Sequence, residues 1–412
     1  MKQVKILAGA LGVAATLAAQ GTFGAGFGIY EGSARGNAMG TEVTADPASP
    51  SVLYNNPAAM TELSGTQFEA GATFINPHAS VSTVVAPGME LDNKADSKWW
   101  TPPHAYATYQ INDKIWAGVG AFSRFGLGID FEDTWPGRYN IQEATIKSID
   151  VNPSLAVKVT ESLSLAAGVR AEWFEFEMYK AIPTGTPGVD PDLQLHLKGD
   201  SWGIGYNLGA FFKATEWLAF GLAYDSEIKQ EVEGDYTTGH PLLPGGDGSG
   251  DIKTPAILRF GASAQATEKL KINAGIIYTM WSSYDQLAIA FEPALLGRIP
   301  VSTTQKDWDD VLRYQVGVEY ALNEVWALRA GYIFDETPDP DSHVDYIVPA
   351  NDRHLFSVGA GYKQNNFFCD LGYTYLLIVD RDIAARPADG VFAGEFTDGD
   401  AHMIGVSVGY KL

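Results

Sequence analysis

From Thr66 to the end of the chain, apolar and polar residues alternate in short runs that turn residues separate. In the last run, Ile404, Val406 and Val408 share one face, and the small or polar residues between them share the other. A period of two is the pattern of a β-strand with one apolar face. The runs predict fourteen strands, at residues 66–76, 102–111, 114–125, 146–159, 162–178, 200–213, 217–232, 254–265, 269–284, 308–321, 325–335, 352–363, 367–379 and 399–412.

The connections between these runs alternate between short and long. The short ones contain residues typical of tight turns and lie at 112–113, 160–161, 214–216, 266–268, 322–324 and 364–366. The long ones are rich in Pro, Gly and Asp and lie at 77–101, 126–145, 179–199, 233–253, 285–307, 336–351 and 380–398. Such sorting is typical of a bacterial outer-membrane barrel, with the short turns in the periplasm. The sequence therefore predicts an all-β fold, a 14-stranded antiparallel transmembrane β-barrel over residues 66–412.

Residues 1–24 predict a secretory signal peptide. A basic region, Met1–Lys5, precedes an apolar run, Ile6–Ala19, and small residues follow it. This order is typical of a signal sequence, with cleavage expected between residues 19 and 25. The alternative, a membrane-anchor helix, needs roughly 20 apolar residues, and the run is shorter. Export and a membrane barrel together predict a protein of the bacterial outer membrane.

Residues 25–65 match neither a helix nor a strand. Asn55-Asn56-Pro57 is turn chemistry, because Pro57 fixes its own φ and moves Asn56 out of the α region. The segment is nevertheless too apolar for a solvated loop. The inside of a barrel is where such a segment can be buried, so we expect it to form a hatch, or plug, in the lumen.

Composition narrows the possible partners. A formal net charge of −22 argues against nucleic acid, because phosphate binding needs a basic surface. The single cysteine excludes an internal disulfide. Trp116, Trp217 and Trp326 lie near strand ends, where aromatic side chains are typical of the membrane–water interface.

Three features could carry chemistry, and none of them predicts an enzyme. Gly405–Gly409 matches the G-x-S-x-G pattern of hydrolases, but it lies in mid-strand, whereas that motif needs a strand-to-helix turn. The seven histidines show no ligand-like spacing, so we expect no zinc site. Asp335–Asp345 could hold Ca²⁺ through its carboxylates or could form a solvated extracellular loop.

The run 162–178 carries a clue to the substrate. Its parity places Phe174, Phe176 and Met178 toward the lumen, and places the two glutamates between them outward, above the lipid. A β-bulge that exchanges the two faces is the alternative. Without a bulge, the extracellular half of the lumen is apolar, which suits a greasy substrate and not a water-filled porin.

Several stretches resemble the FadL-type outer-membrane transporters of long-chain fatty acids, whose TodX-like members are linked to aromatic hydrocarbons. The resemblance covers essentially the whole mature chain. The matching stretches are Ala25–Phe27, Gly36–Gly40, Tyr54–Met60, Phe122–Gly128, Trp202–Leu208, Tyr224–Lys229, Thr279–Ser282 and Phe334–Pro338. On these motifs, together with the strand pattern, the chain is identified as a member of that family.

The resemblance implies passive uptake of long-chain fatty acids or related hydrophobic compounds, without a cofactor. Substrate would be captured at extracellular loops, would pass to an internal apolar site, and would leave sideways at a kink in the third strand after the hatch rearranges. Family members are monomers in contact with outer-membrane lipid and lipopolysaccharide. The residues implied are Asn56, Pro57 and Ala58 for the hatch motif, and Phe125, Gly126, Leu127 and Gly128 for the kink and lateral opening.

Fatty-acid transporters of this family place basic residues at the internal site, because a buried carboxylate needs a partner. The aligned places hold Glu175 and Asp309 here, and Arg170 and Arg313 lie close to them. A neutral aromatic or alkane hydrocarbon is therefore the alternative substrate, and an outer-membrane barrel enzyme is a further alternative. The substrate-lining candidates are Phe27, Arg170, Phe174, Phe176, Met178 and Arg313.

Overall fold

The computed structural model describes residues 26–41, 43–185, 191–243, 245–348 and 350–412. The predicted signal peptide, residues 1–24, lies outside the described residues. No helix in the described part of the chain is long and apolar enough to cross a membrane.

The described residues form one antiparallel sheet that closes on itself, because the first strand segment pairs with the last from Gln67↔Lys411 to Thr83↔Gly394. The segments are β1 Thr66–Ala86, β2 Met89–Lys94, β3 Pro103–Gln110, β4 Ile115–Phe122, β5 Gly126–Asp130, β6 Glu143–Lys158, β7 Leu163–Pro183, β8 Asp192–Lys213, β9 Leu218–Asp225, β10 Ile228–Thr237, β11 Gly246–Thr254, β12 Ile257–Gln265, β13 Leu270–Thr279, β14 Gln286–Leu295, β15 Ile299–Gln305, β16 Val311–Ala321, β17 Trp326–Asp335, β18 Arg353–Gln364, β19 Phe367–Ile378, β20 Arg381–Ile383 and β21 Gly394–Lys411.

These segments make the fourteen strands that the alternation predicts. Half of the strands are interrupted, and each of these consists of two segments: β2 with β3, β4 with β5, β9 with β10, β11 with β12, β13 with β14, β15 with β16, and β19 with β20. All six predicted short turns join adjacent strands. The predicted closed antiparallel barrel is confirmed.

The extracellular connections differ from the prediction. All seven long connections were expected as loops, but six of them contain strand residues, at 77–101, 126–145, 179–199, 233–253, 285–307 and 380–398. For example, β1 continues to Ala86, β7 continues to Pro183, and β14 and β15 occupy most of 285–307. The reason is physical: above the lipid the outer face of a hairpin faces water. The apolar residues that mark an outward face in the membrane are therefore absent there, although the strands continue.

One aromatic residue lies elsewhere than predicted. Trp217 and Trp326 are exposed on the outside of the barrel, as residues of an interface belt are. Trp116, in contrast, is buried and only 3% exposed. Its indole N–H donates to the carbonyl of Leu63 at 2.8 Å, so this side chain points into the lumen and holds the end of the N-terminal segment.

The N-terminal segment folds inside this wall as two short α-helices and a 3-10 helix, α1 Ala34–Ala38, α2 Val52–Asn55 and Pro57–Glu62. Ser33 caps α1, because its Oγ accepts a hydrogen bond from the Gly36 N–H at 3.0 Å. The α1 helix contacts β17, β18, β19, β21 and β1, whereas the 3-10 helix contacts β4, β6, β7 and β8 on another side of the barrel. The segment therefore reaches across the lumen. The remaining 3-10 turns are Pro136–Tyr139, Trp281–Ser283 and Pro387–Asp389.

Glycines in the wall make room for this segment. A Cβ at any of eight wall glycines would lie closer than 3.0 Å to an atom of residues 34–60, and these are Gly118, Gly209, Gly221, Gly317, Gly331, Gly359, Gly372 and Gly405. The N-terminal backbone thus packs directly against the wall over much of its circumference. These close contacts account for part of the high glycine content of the chain.

Candidate functional site

A deeply buried apolar site surrounds Phe27 at the start of the described chain. Its ring centroid lies 4.7 Å from Trp281, 5.5 Å from Tyr284, 5.8 Å from Trp308 and 5.9 Å from Phe125. Three of these contacts are edge-to-face, a geometry that adds about 0.5–1.5 kcal/mol per pair beyond burial. We call these four residues the aromatic box; Phe27 occupies it in the described state.

Two polar atoms in the aromatic box have no partner. The indole N–H groups of Trp281 and Trp308 are buried and make no hydrogen bond to any described residue. A buried donor without an acceptor costs about 1–3 kcal/mol. The aromatic box therefore contains two N–H donors that no described residue accepts.

The third strand breaks where the resemblance implies a kink. Segment β4 ends at Phe122 and β5 begins at Gly126. Two backbone hydrogen bonds join this interruption to residues 26–30, which we call the N-terminal arm. The Ile29 N–H donates to the Arg124 carbonyl at 2.7 Å, and the Gly126 N–H donates to the Phe27 carbonyl at 2.9 Å. The arm that fills the aromatic box is thus hydrogen-bonded to the kink itself.

The wall is incomplete beside β5. Its backbone ladder is with β6, and among the described residues no ladder joins it to the preceding strand. Trp100 covers this place: a Cβ at Gly128 would lie 2.1 Å from the Trp100 ring. Gly128 therefore allows the indole to lie flat against β5, and Leu127 beside it is buried.

The Arg124 side chain connects the kink to the hatch motif. One of its Nη atoms donates to the Tyr54 carbonyl at 2.9 Å, and its guanidinium lies over the Tyr54 ring at 4.4 Å. It also lies 3.4 Å from Asp225, which pairs with Arg259. A movement of residues 54–56 would therefore displace the Arg124 side chain at the kink.

Asn56 fixes the hatch motif to the wall. Its Nδ2 donates to the carbonyls of Thr44 and Ala210, each at 3.0 Å, and its Oδ1 accepts from the Ala58 N–H at 3.1 Å. Pro57 then opens the 3-10 helix. Gly209 permits this contact, since a Cβ there would lie 2.5 Å from Asn56 Oδ1.

Ion pairs attach the part of the N-terminal segment that contains Arg35 and Asp46 to the barrel wall. Asp46 pairs with Arg35 at 2.5 Å within the segment and with Lys271 of β13 at 2.8 Å. Arg35 also reaches Glu319 of β16 at 3.2 Å. These contacts are side-chain contacts that can exchange partners, unlike the backbone ladders of the wall.

From Phe174 to Met178, in the extracellular half of β7, the lumen face is apolar, as its parity predicts, whereas Arg170 and Glu172 on the same face are charged. Phe174, Phe176 and Met178 are buried, and Glu175 and Glu177 lie on the other face. The register of β7 is unbroken against both β6 and β8. The alternative of a β-bulge is therefore wrong. The three apolar residues belong to the same cluster as Phe27.

The two arginines named as substrate-lining candidates are buried in the lumen but are already paired. Arg170 bonds to Asp150 at 2.9 Å and to Glu172 at 3.0 Å. Arg313 pairs with Asp335 at 2.7 Å and lies over the Tyr30 ring at 4.3 Å. Neither belongs to the aromatic box.

A basic residue that sequence reasoning missed lies beside the aromatic box. Lys306 is fully buried, pairs with Asp345, and acts electrostatically on Tyr284. It lies two residues before Trp308, in a stretch predicted as a loop. Its proximity in sequence to Asp309, which the alignment placed at the internal site, is the signal that could have indicated it.

The segment Asp335–Asp345 is a solvated loop only in part, because Asp341 and Ser342 are exposed and its other residues are buried or half-buried. Its carboxylates Asp339 and Asp345 are buried, and the residues after it pack under the barrel mouth. Burial and the neighbouring Asp345 carboxylate raise the pKa of Asp339 to about 7. In the described ranges, no group of three or more His, Cys, Asp or Glu side chains could hold a metal ion.

The G-x-S-x-G stretch serves the hatch. Ser407 Oγ accepts from the Ala34 N–H at 2.9 Å and lies 2.8 Å from His104 Nε2. No carboxylate completes a triad, since His104 Nδ1 has no hydrogen-bond partner among the described residues. The pair is buried beneath the N-terminal segment, so it anchors that segment and offers no nucleophile to a substrate.

Comparison with known proteins agrees with this architecture. The family described as outer membrane protein transport protein (OMPP1/FadL/TodX) matches residues 15–412. The long-chain fatty acid transport protein of Escherichia coli O6:H1 is 26% identical over 448 residues, which cover 98% of each chain. A solved Pseudomonas aeruginosa FadL homologue has a TM-score of 0.82 at 21% identity, covering 94% of this chain and 99% of that one. The P. putida toluene transporter TodX has a TM-score of 0.71 at 17% identity, covering 94% and 99%.

Proposed function

The chain belongs to the OMPP1/FadL/TodX family of outer-membrane transport proteins, and from this premise we propose that it takes up long-chain fatty acids or related hydrophobic compounds by passive passage. It is a transport protein of the outer membrane and not an enzyme. The observation that carries the proposal is the aromatic box. It is a deeply buried apolar site occupied by the chain's own Phe27, and that residue is hydrogen-bonded to an incomplete part of the wall.

The proposed route begins at the extracellular mouth and follows the apolar lumen face of β7. Phe174, Phe176 and Met178 form one continuous apolar cluster with Phe27, so a greasy molecule stays out of water along the way. It then displaces Phe27 from the aromatic box. A single closed barrel suffices for this route, so we take the working unit as a monomer surrounded by outer-membrane lipid and lipopolysaccharide.

Release in this proposal is lateral, beside β5. The arm residues that leave the aromatic box are those that pair with Arg124 and Gly126, so their departure removes backbone contacts from the kink. Arg124 transmits the change to Tyr54 and the hatch motif. Asn56, Pro57 and Ala58 rearrange, and the substrate passes the Trp100 side chain into the wall gap. No step needs a cofactor.

A fatty acid is favoured by the polar groups at the aromatic box. Lys306 lies next to Tyr284, and the two indole N–H groups lack acceptors. A carboxylate could receive hydrogen bonds from the indoles and charge compensation from the lysine. A neutral aromatic hydrocarbon is the second candidate, because Lys306 is already paired with Asp345 and the site itself is aromatic.

Uptake by cells that lack their own transporter of this family tests the proposal. Expression of the chain is expected to raise the initial rate of uptake of a radiolabelled long-chain fatty acid. Mass spectrometry of molecules that co-purify with the barrel then distinguishes a carboxylate from a neutral hydrocarbon. Uptake at the background rate for both classes of compound would contradict the transport proposal.

A further inference from the structure

The part of the wall between β2 and β3 is irregular and borders the gap beside β5. Residues 95–102 connect the two strand segments, and we call them the strap. The Ala95 N–H donates to the Ala79 carbonyl at 3.0 Å, and Ile75 and Trp100 exchange two backbone hydrogen bonds of 2.8 Å. One edge of the strap is therefore bonded to β1, and its other edge faces β5.

The gap between the strap and β5 is closed at both ends. At one end the ladder between β3 and β4 stops at the pair His104↔Phe122. At the other end the Asp96 N–H donates to the Asp130 carbonyl at 2.7 Å. Between these ends, no backbone hydrogen bond joins the strap to residues 123–129 among the described residues. Seven extended residues span about 23 Å, so the gap is long compared with the width of an acyl chain.

The Trp100 indole fills this gap. A wall strand in contact with lipid has one exposed face, but β5 is buried on both: Leu127 is buried on the lumen side, and Gly128 is buried on the opposite side. Trp100 covers Gly128, where a Cβ would lie 2.1 Å from the ring. Its neighbour Trp99 is 55% exposed, whereas Trp100 is only 7% exposed. The strap therefore separates β5 from the lipid.

The strap is attached to β5 more weakly than to β1. Apart from the hydrogen bond at Asp96, its polar contact with β5 is the ion pair of Lys98 with Asp130. Lys98 is 47% exposed, and exposed ion pairs contribute little to stability. The indole packed on Gly128 is the main remaining contact. An opening movement would thus separate the strap from β5 and leave its bonds to β1 in place.

We propose that the strap is a second gate, in series with the hatch, and that the Trp100 indole closes it. Trp100 belongs to the same apolar cluster as Phe27 and Phe125, so the gap lies where the apolar lumen meets the lipid. The substrate leaves between the strap and β5 when the indole moves off Gly128. The inference rests on the lateral release in the proposed function, and it adds the residue that keeps lipid out of the lumen between transport events.

A disulfide between the strap and β5 tests this gate. The hydrogen bond between Asp96 and Asp130 holds their Cα atoms within about 6.6 Å, a distance that a disulfide spans, so Asp96→Cys/Asp130→Cys is the strap pair. Thr145→Cys/Glu177→Cys is the matched control, because it joins registered neighbours on β6 and β7, where the wall is continuous. Every variant carries Cys369→Ala, and heat-dependent gel mobility verifies that each barrel has folded.

The measurement is the initial rate of radiolabelled hexadecanoate uptake by cells that lack their own transporter of this family. We expect the oxidised strap pair to take up hexadecanoate at least tenfold more slowly than the same protein after reduction, and the control pair to be insensitive to reduction. Equal rates for the oxidised and reduced strap pair would overturn the gate. Uptake at the background rate by the wild type is a different result, since it contradicts the proposed function itself.

The role of the indole is tested in the oxidised strap pair. Trp100→Ala should restore at least half of the reduced rate, because the gap is then no longer filled. Trp99→Ala, which removes the exposed neighbouring ring, should restore nothing. Trp100→Leu replaces the alanine variant if that one does not fold. Failure of the folded Trp100 variant to restore uptake would overturn the assignment of Trp100 as the closing residue.

Discussion

Phe27 has four aromatic neighbours that come from three distant parts of the chain. Phe125 lies at the kink, Trp281 and Tyr284 follow β13, and Trp308 precedes β16. Each ring pair contributes modestly to the free energy that holds Phe27 in place, and together the four rings bury Phe27 almost completely. A substrate that enters this site has to compete with a residue tethered there by its own chain.

Phe27→Ala tests this competition. When the site is unoccupied in only a fraction of the protein molecules, the apparent dissociation constant of a ligand is raised. Removal of the Phe27 ring should therefore tighten ligand binding about tenfold or more. Calorimetry with the purified protein in detergent measures the change. Phe356→Ala, at an exposed position on the outer face, is the control. Weaker binding by Phe27→Ala would mean that the phenyl ring forms part of the site and does not compete for it.

Asp339 predicts a pH dependence for the loop between β17 and β18. Its pKa of about 7 in the folded protein is higher than the value near 4 of an unfolded chain. Its contribution to loop stability is therefore present below about pH 4 and is lost as pH rises through about 7. Asp339→Asn stays neutral, so it should slow hydrogen exchange of residues 336–348 at pH 8 by tenfold or more, about 1.4 kcal/mol, with no effect at pH 4.

The control for this pH effect is Asp382→Asn, because Asp382 is exposed and its side chain makes no hydrogen bond or ion pair among the described residues. Each variant is compared with wild type at the same pH, which removes the intrinsic pH dependence of exchange. Equal protection of Asp339→Asn and wild type at pH 8 would show that the Asp339 carboxylate is solvated.

At the scale of elements, the strand pattern predicts the wall well because one physical rule, alternation against lipid, holds along every strand. The rule ends where the lipid ends, so the extracellular part of β1 and of β7 was predicted as loop. Trp116 was assigned to the interface because sequence shows that it lies near a strand end but not that the hatch offers it an acceptor. Lys306 was missed for a similar reason, since its burial depends on packing between segments far apart in the chain.

The N-terminal segment is the element whose mobility matters most. Asn56 gives it three hydrogen bonds, and one of them reaches the wall at Ala210. None of them belongs to a barrel ladder. The hatch and the wall therefore have separable stabilities, which is a requirement for a plug that moves in an intact barrel.

Asn56→Ala should loosen the hatch and leave the wall intact. Each lost hydrogen bond is worth about 0.5–1.5 kcal/mol, so hydrogen exchange of residues 43–62 should speed up by tenfold or more while the barrel keeps its heat-resistant gel mobility. The rate of substrate uptake should change together with the rate of hydrogen exchange in this segment. Asn152→Ala, which removes a buried amide that bonds within the wall, is the comparison. Failure of Asn56→Ala to assemble a barrel would make the motif a folding element and not a gate.

At the scale of the whole molecule, two features lie in series: an apolar stretch of the lumen that leads to the aromatic box, and a wall gap beside β5. The N-terminal arm and Arg124 join both of them to the hatch by hydrogen bonds. Passive transport follows if substrate binding and hatch movement are linked in this way.

Movement of the hatch during transport can be tested with a reversible lock. Thr61 of the hatch and Ser164 of β7 have hydroxyl oxygens 2.7 Å apart, so two cysteine sulfur atoms at these positions need only a small shift to reach the bonded separation of about 2.05 Å. Cysteines at both positions, with Cys369→Ala, should form a disulfide. Ser357 and Thr374, 2.9 Å apart on neighbouring wall strands β18 and β19, give a matched control that leaves the hatch free.

The deciding measurement is the initial rate of fatty-acid uptake by cells carrying each cysteine pair, before and after reduction. We predict that the oxidised Thr61→Cys/Ser164→Cys protein takes up substrate at the background rate, that reduction restores uptake, and that the wall pair is insensitive to reduction. Uptake at the wild-type rate through the fully oxidised hatch pair would contradict hatch rearrangement as the gate of this transporter.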